Sequence, residues 1–157
     1  YLADPIPGTY DAALCIYCDF GALIPDEQTV FLDKVRNALI DGGVFIFDVF
    51  GENVNLDKKE ERSWDYCPGP GFWSARPHWI LGESKHFAES NAWGSRHIII
   101  DGRRRKEYIT WDTLYSEERI ASLLAASGFE VEEIARHLVG ENNFASNNVL
   151  FVKARKK

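Results

Sequence analysis

The sequence predicts an α/β fold: a parallel sheet interrupted by an antiparallel insertion. Two near-continuous apolar runs, Tyr10–Ile16 and Val44–Val49, flank an amphipathic helical stretch. An aromatic-rich middle segment breaks into short runs at hairpin spacing, and the last third returns to helix and strand.

After Asp11 the first run, Ala12-Ala13-Leu14-Cys15-Ile16, has the composition of a strand buried on both faces of a parallel sheet. Pro25, followed by Asp26 and Glu27, marks a helix start, with proline in the first turn and acids at the positive end of the dipole. Phe31, Leu32, Val35, Ala38 and Leu39 recur at helical spacing, and Gly42-Gly43 supplies a left-handed stop. The next strand, Val44–Val49, carries Asp48 at its end. A strand-helix-strand unit of this length predicts a parallel, right-handed crossover.

Residues 52–65 are charged, and Pro68-Gly69-Pro70-Gly71 continues neither helix nor strand. Lys85–Ala92, Arg96–Asp101 and Arg103–Leu114 then predict an antiparallel meander of about three strands, with turns at Gly94 and Asp101-Gly102. This insertion is bounded at 66–115. Beyond it, Ser116 is a good N-cap, Glu117 and Glu118 fill a first turn, and Ile120, Leu123 and Leu124 make an apolar face. Gly128 fits the left-handed cap position. Glu130–Leu138 and Asn148–Ala154 are two further strands, joined by a polar loop from Gly140 to Asn147.

At 157 residues, 45% hydrophobic and 27% charged, the chain suits one globular domain. A net charge of −6 argues against a partner held through phosphate charge, so neither nucleic acid nor an anionic membrane is expected. The three cysteines make no disulfide framework, which points to a reducing cytoplasm. The chain has no Met and opens on Tyr1, which reads as an interior fragment.

Three stretches together resemble the class I S-adenosylmethionine-dependent methyltransferases. Tyr10-Asp11-Ala12-Ala13-Leu14-Cys15-Ile16-Tyr17-Cys18-Asp19-Phe20-Gly21 is similar to that family's fourth strand and the loop after it. Val35 through Gly42-Gly43 to Asp48 resembles its helix, Gly-Gly and fifth strand. Tyr115-Ser116 through Ser127-Gly128-Phe129-Glu130 resembles its penultimate helix and the turn into the sixth strand, and Val149–Lys153 stands where the seventh is expected. The resemblance implies strands four to seven of a partial Rossmann-like methyltransferase sheet, with 66–115 as a lid-like insertion. It also implies S-adenosylmethionine as cofactor, a small-molecule methyl acceptor, and an enzyme. The family's glycine-rich turn and its ribose-binding acid would then lie N-terminal of Tyr1, making this a C-terminal fragment that is inactive alone.

The resemblance places Tyr17, Cys18, Asp19 and Phe20 beside the cofactor, with backbone groups anchoring its amino acid part and Phe20 facing the sulfonium or adenine. The alternative is a loop whose Asp19 caps the following helix and whose aromatics close the core. Asp48 either orients an acceptor amine or hydroxyl or caps the next segment. Trp73, Ser74, His78, Trp79, Trp93, Trp111 and Tyr115 crowd the insertion. There a lid over the acceptor competes with a small aromatic core, and His78, Trp111 and Tyr115 are the candidates for lining. No residue is assigned as a general base. Cys15 and Cys18, three apart at a strand end, do not face one another, and Cys67 and the four histidines lack metal-ligand spacing. Arg103-Arg104-Arg105-Lys106 reads as a solvated hairpin edge.

A second class remains open, a binding or assembly module without chemistry, and a dehydrogenase is a third. An upstream glycine-rich strand-to-helix turn separates the enzyme from the module. Without the first three strands, Ala12–Ile16 would keep an apolar edge with no proline or lysine to protect it. A homodimer covering that edge is expected.

Overall fold

The computed structural model describes residues 2–54, 56–136 and 148–157. The chain divides into two compact units, one made of Tyr1–Asn55 with Thr113–Lys157, the other of Leu56–Asp112.

In the first unit, β1 (Tyr10–Cys15) leads through a 3-10 turn to α1 (Pro25–Ala38) and β2 (Leu39–Gly51). Strands β1 and β2 are parallel, with Cys15 opposite Phe47. Glu27 accepts the Ile24 backbone N–H at 3.1 Å, closing the first turn of α1 that Pro25 opens. After β6 (Arg104–Tyr115) enters the unit at Thr113 come α2 (Glu117–Ala126), β7 (Phe129–Ala135) and β8 (Val149–Lys156). β8 runs antiparallel between β2 and β7. The end of β6 lies parallel to the end of β2, Leu114 opposite Phe50.

The core gathers on one face of β2. Phe45, Phe47 and Val49 alternate inward and meet Leu32 and Val35 of α1, Ile120 and Leu124 of α2, and Leu150 and Val152 of β8. The Ser116 hydroxyl accepts the Arg119 N–H at 3.2 Å, as its N-cap position predicts. Gly128 takes φ +81°, and a Cβ there would lie 3.1 Å from Arg36 Cδ.

Two sequence expectations change in this unit. Gly42-Gly43 does not stop α1, which ends at Ala38, with Leu39 already extended at ψ 145°. The glycines instead lie inside β2, at a break in its register with β1. Gly42 has φ +75°, and a Cβ on Gly43 would sit 2.9 Å from the Ile40 carbonyl oxygen and 3.2 Å from that of Asp11. The pair lets two backbones approach rather than capping a helix. Nor is β1 buried on both faces: Leu14 is 70% exposed, and Tyr10 and Ile16 are exposed with it. β2 is its one strand partner among the described residues.

The second unit is an antiparallel meander of β3 (Glu61–Cys67), β4 (His78–Phe87), β5 (Ala92–Asp101) and the first part of β6. It holds four strands where three were expected, because the charged stretch ending at residue 65 carries β3. The strand expected over Lys85–Ala92 ends at Phe87, and the chain turns through Ala88–Ser90 and Asn91. Asn91 adopts φ 44°, a left-handed conformation asparagine tolerates better than most residues. Gly94 is therefore not the turn. It lies within β5, where a Cβ would meet the Trp111 ring at 2.9 Å. The turn at Asp101-Gly102 is as predicted, with Gly102 at φ +60°.

The loop expected from Gly140 to Asn147, and the end of the strand expected to reach Leu138, lie outside the described residues. Among the described residues no helix is long and apolar enough to cross a membrane. Replacing Ser116 by Ala removes the α2 cap and should cost about 1 kcal/mol of stability, read as a lower denaturation midpoint at unchanged slope.

Candidate functional site

Parallel strands in an α/β sheet leave a crevice beyond their carboxyl ends, where ligands bind. Here that edge is formed by β1 and β2. Because Cys15 pairs with Phe47, Asp48 stands one position past the end of β1, level with the chain as it turns away. Tyr17 and Cys18 make the turn with φ 76° and 58°, two consecutive non-glycine residues in the left-handed region. Such a conformation costs energy unless the surroundings fix it. The Cys18 N–H donates to Asp48 Oδ1 at 2.8 Å, and Gly21 N–H donates to the Cys18 carbonyl at 3.0 Å. A charge-assisted bond from a neighbouring strand thus holds the turn.

Around this clamp the side chains sort by exposure. The Tyr17 ring is 92% exposed, and Asp19 is exposed at the start of the 3-10 turn Asp19–Ala22. Cys18 and Asp48 are half-buried. Burial, with the Asp19 and Asp48 carboxylates adding to it, pushes the Cys15 thiol up to about 11. Along β1 an apolar groove runs away from the turn between Leu14, Ile16, Ile6 and Phe31.

The structure brings Tyr17, Cys18, Asp19 and Asp48 together; Phe20 and Tyr115 lie in the core of the same unit, and His78 and Trp111 belong to the second unit. Phe20 points inward, fully buried, its ring 5.1 Å from that of Phe47 and 6.1 Å from those of Phe31 and Tyr115. Tyr115 is also fully buried, with the Arg119 guanidinium 4.9 Å from its ring centroid. Burial raises the Tyr115 phenol above its ordinary range. In the second unit, His78 is 1% exposed and its Nδ1 lies 2.7 Å from the Arg76 carbonyl oxygen. Trp111 is half-buried and packs on Phe87 at 5.3 Å. Among the described residues no group of three or more His, Cys, Asp or Glu side chains is placed to hold a metal ion.

The groove lies along the edge of Ala12–Ile16 that the sequence leaves apolar and unguarded, and Ile6 and Phe31 complete its lining. Sequence reasoning missed the Asp48–Cys18 bond. The signal for that bond was the strand pairing itself, which aligns the end of one parallel strand with the loop after the other.

No protein-family profile and no curated protein matches the chain. Solved structures do match. An S-adenosylmethionine-dependent methyltransferase from Clostridium acetobutylicum superposes with a TM-score of 0.62 at 16% identity, over 99% of this chain and 61% of that one. The chain has the fold of these methyltransferases. The sugar N-methyltransferase KedS8 from a Streptoalloteichus species matches with a TM-score of 0.56 at 23% identity, over 99% of this chain and 60% of its own. CalS10, an amino pentose methyltransferase from Micromonospora echinaspora solved with S-adenosylmethionine bound, gives 0.53 at 16% identity, over 99% and 62%. The chain thus spans about three fifths of the length of these structures.

Two measurements check these placements. Phe20→Ala should destabilise the chain by about 3–5 kcal/mol, as loss of a buried ring in a packed core does; denaturant titration reads this directly. Iodoacetamide at pH 8 should alkylate Cys15 about tenfold more slowly than an ordinary thiol, since raising its pKa to about 11 cuts the thiolate fraction and the greater nucleophilicity of the thiolate offsets only part of that loss. Time-resolved peptide mapping measures the rate.

Proposed function

We propose that this chain is part of a methyltransferase that uses S-adenosylmethionine to methylate a small molecule, and that Tyr17, Cys18 and Asp19 contact the cofactor. The observation carrying the reading is the left-handed Tyr17–Cys18 turn clamped by Asp48 at the carboxyl ends of two parallel strands. The residues suit that ligand. An exposed aromatic ring and an exposed carboxylate offer a face to an aromatic base and a counter-charge to a cationic group. When bound, S-adenosylmethionine supplies an electrophilic methyl group. What the protein adds is position and exclusion of water.

In this reading Phe20 acts from behind, packing the 3-10 turn against the core rather than touching the cofactor. Asp48 holds the turn, and it lies at the strand end that an acceptor amine or hydroxyl has to approach. His78 and Tyr115 are buried within their own units, so the acceptor role is assigned to Asp48, with half-buried Trp111 of the second unit as the remaining lining candidate. The remaining contacts to the ribose and methionine portions are assigned to the part of the fold that the matched structures carry beyond this chain's length, and activity accordingly to a longer protein.

Calorimetry decides between this enzyme and a non-catalytic binding module. The longer protein should bind S-adenosylmethionine, and the 157-residue chain should bind at least about tenfold more weakly, a loss of about 1.4 kcal/mol. Tyr17→Ala in the longer protein should weaken binding while leaving thermal stability unchanged, because its ring is exposed. Absence of binding in the longer protein favours the module, and equal affinity in the two would put the cofactor site elsewhere.

A further inference from the structure

The second unit carries an edge that faces no strand among the described residues, on the outer side of β3. Its sequence, Glu61-Arg62-Ser63-Trp64-Asp65-Tyr66-Cys67, contains no proline and no lysine, and the charges it does carry, Glu61, Arg62 and Asp65, are of both signs. All but Cys67 are exposed. Trp64 is 75% exposed and Tyr66 51%, and both rings pack on Trp79 of β4, at 5.8 and 4.8 Å. Beside them lie Leu81 and Ile98, so one face of the meander is aromatic and aliphatic up to its rim. The charges on that face are already matched, Arg62 with Glu83 at 2.8 Å and Arg96 with Glu107 at 2.7 Å.

We propose that β3 is a self-association edge, pairing antiparallel with β3 of a second copy of this chain about a two-fold axis at Trp64. Antiparallel pairing of a strand with itself keeps the two aromatic faces on the same side only when the axis passes through a residue, since adjacent residues point to opposite faces. Charge then selects among these registers. An axis at Arg62 or Asp65 sets like charges directly opposite, and an axis at Ser63 sets Glu61 against Asp65. The axis at Trp64 pairs all seven residues without opposing like charges. Arg62 meets Tyr66, where a guanidinium can lie on a ring; Ser63 meets Asp65, hydroxyl to carboxylate; and Trp64 meets its own copy. A two-fold contact uses the edge once and closes, so the product is a dimer and not a fibre.

This edge differs from the one on β1 that the sequence alone singles out, and the two are separable. Sedimentation velocity of the chain at micromolar concentration should show a dimer. Trp64→Lys should raise its dissociation constant by more than about tenfold, by replacing a central aromatic pair with like charges. Leu14→Lys on β1 should leave it unchanged. Because Trp64 is exposed, its replacement leaves the fold of the unit intact. As a readout that retains Trp64, Ser63→Cys combined with Asp65→Cys should form a covalent dimer on oxidation above the wild-type background, since directly opposed residues lie within disulfide reach. A monomeric wild-type chain, a Trp64→Lys variant that still dimerises, or dissociation by Leu14→Lys instead would each overturn the proposal.

Discussion

Strand β2 is bonded on both edges from Val44 to Phe47, to β1 on one side and β8 on the other, and this double pairing fixes the first unit around it. With both edges committed, its register cannot slip, and alternation sends Phe45, Phe47 and Val49 to one face. Both helices pack on that face, and the aromatic rings of Phe20, Phe31 and Tyr115 close over it. The same alternation turns Asp48 the other way, where it meets the turn leaving β1. The site geometry is thus a by-product of core packing.

Much of this was legible in the sequence because local chemistry and global fold agree. Pro25 with Asp26 and Glu27, Ser116 with its acidic first turn, and Gly128 each mark a boundary where the structure has one. Gly42-Gly43 misled because a left-handed glycine after a helical run looks the same whether it caps the helix or bends a strand. β3 was hidden because half of its six exposed residues are charged and its two aromatic members, Trp64 and Tyr66, are too few to show alternation. Phe20 and Tyr115 stand next to polar or turn residues in sequence, and only the tertiary fold shows that their rings share one core.

The candidate site divides in the same way. Which loop matters was readable from the order of strands and glycines, but which side chains of that loop face outward was not. The left-handed backbone at Tyr17 and Cys18 reverses the side-chain direction that simple strand alternation would give, exposing Tyr17 and turning Phe20 inward. A backbone conformation that costs energy on its own is retained here because a carboxylate from the neighbouring strand compensates it.

The way β6 returns to the first unit has a different kind of consequence. Gly51 pairs with Tyr115, and the Glu52 N–H donates to the Tyr115 carbonyl at 2.9 Å, so the chain leaves β2 and comes back beside it. Exit and re-entry are neighbours, held by backbone bonds that any side chains could make. Everything from Leu56 to Asp112 therefore hangs from a closed gate in the first unit, and the entropic cost of that closure depends only weakly on how long the hanging segment is. A scaffold joined this way can exchange the segment for one of another size or sequence and keep its own core, which makes the meander a replaceable part.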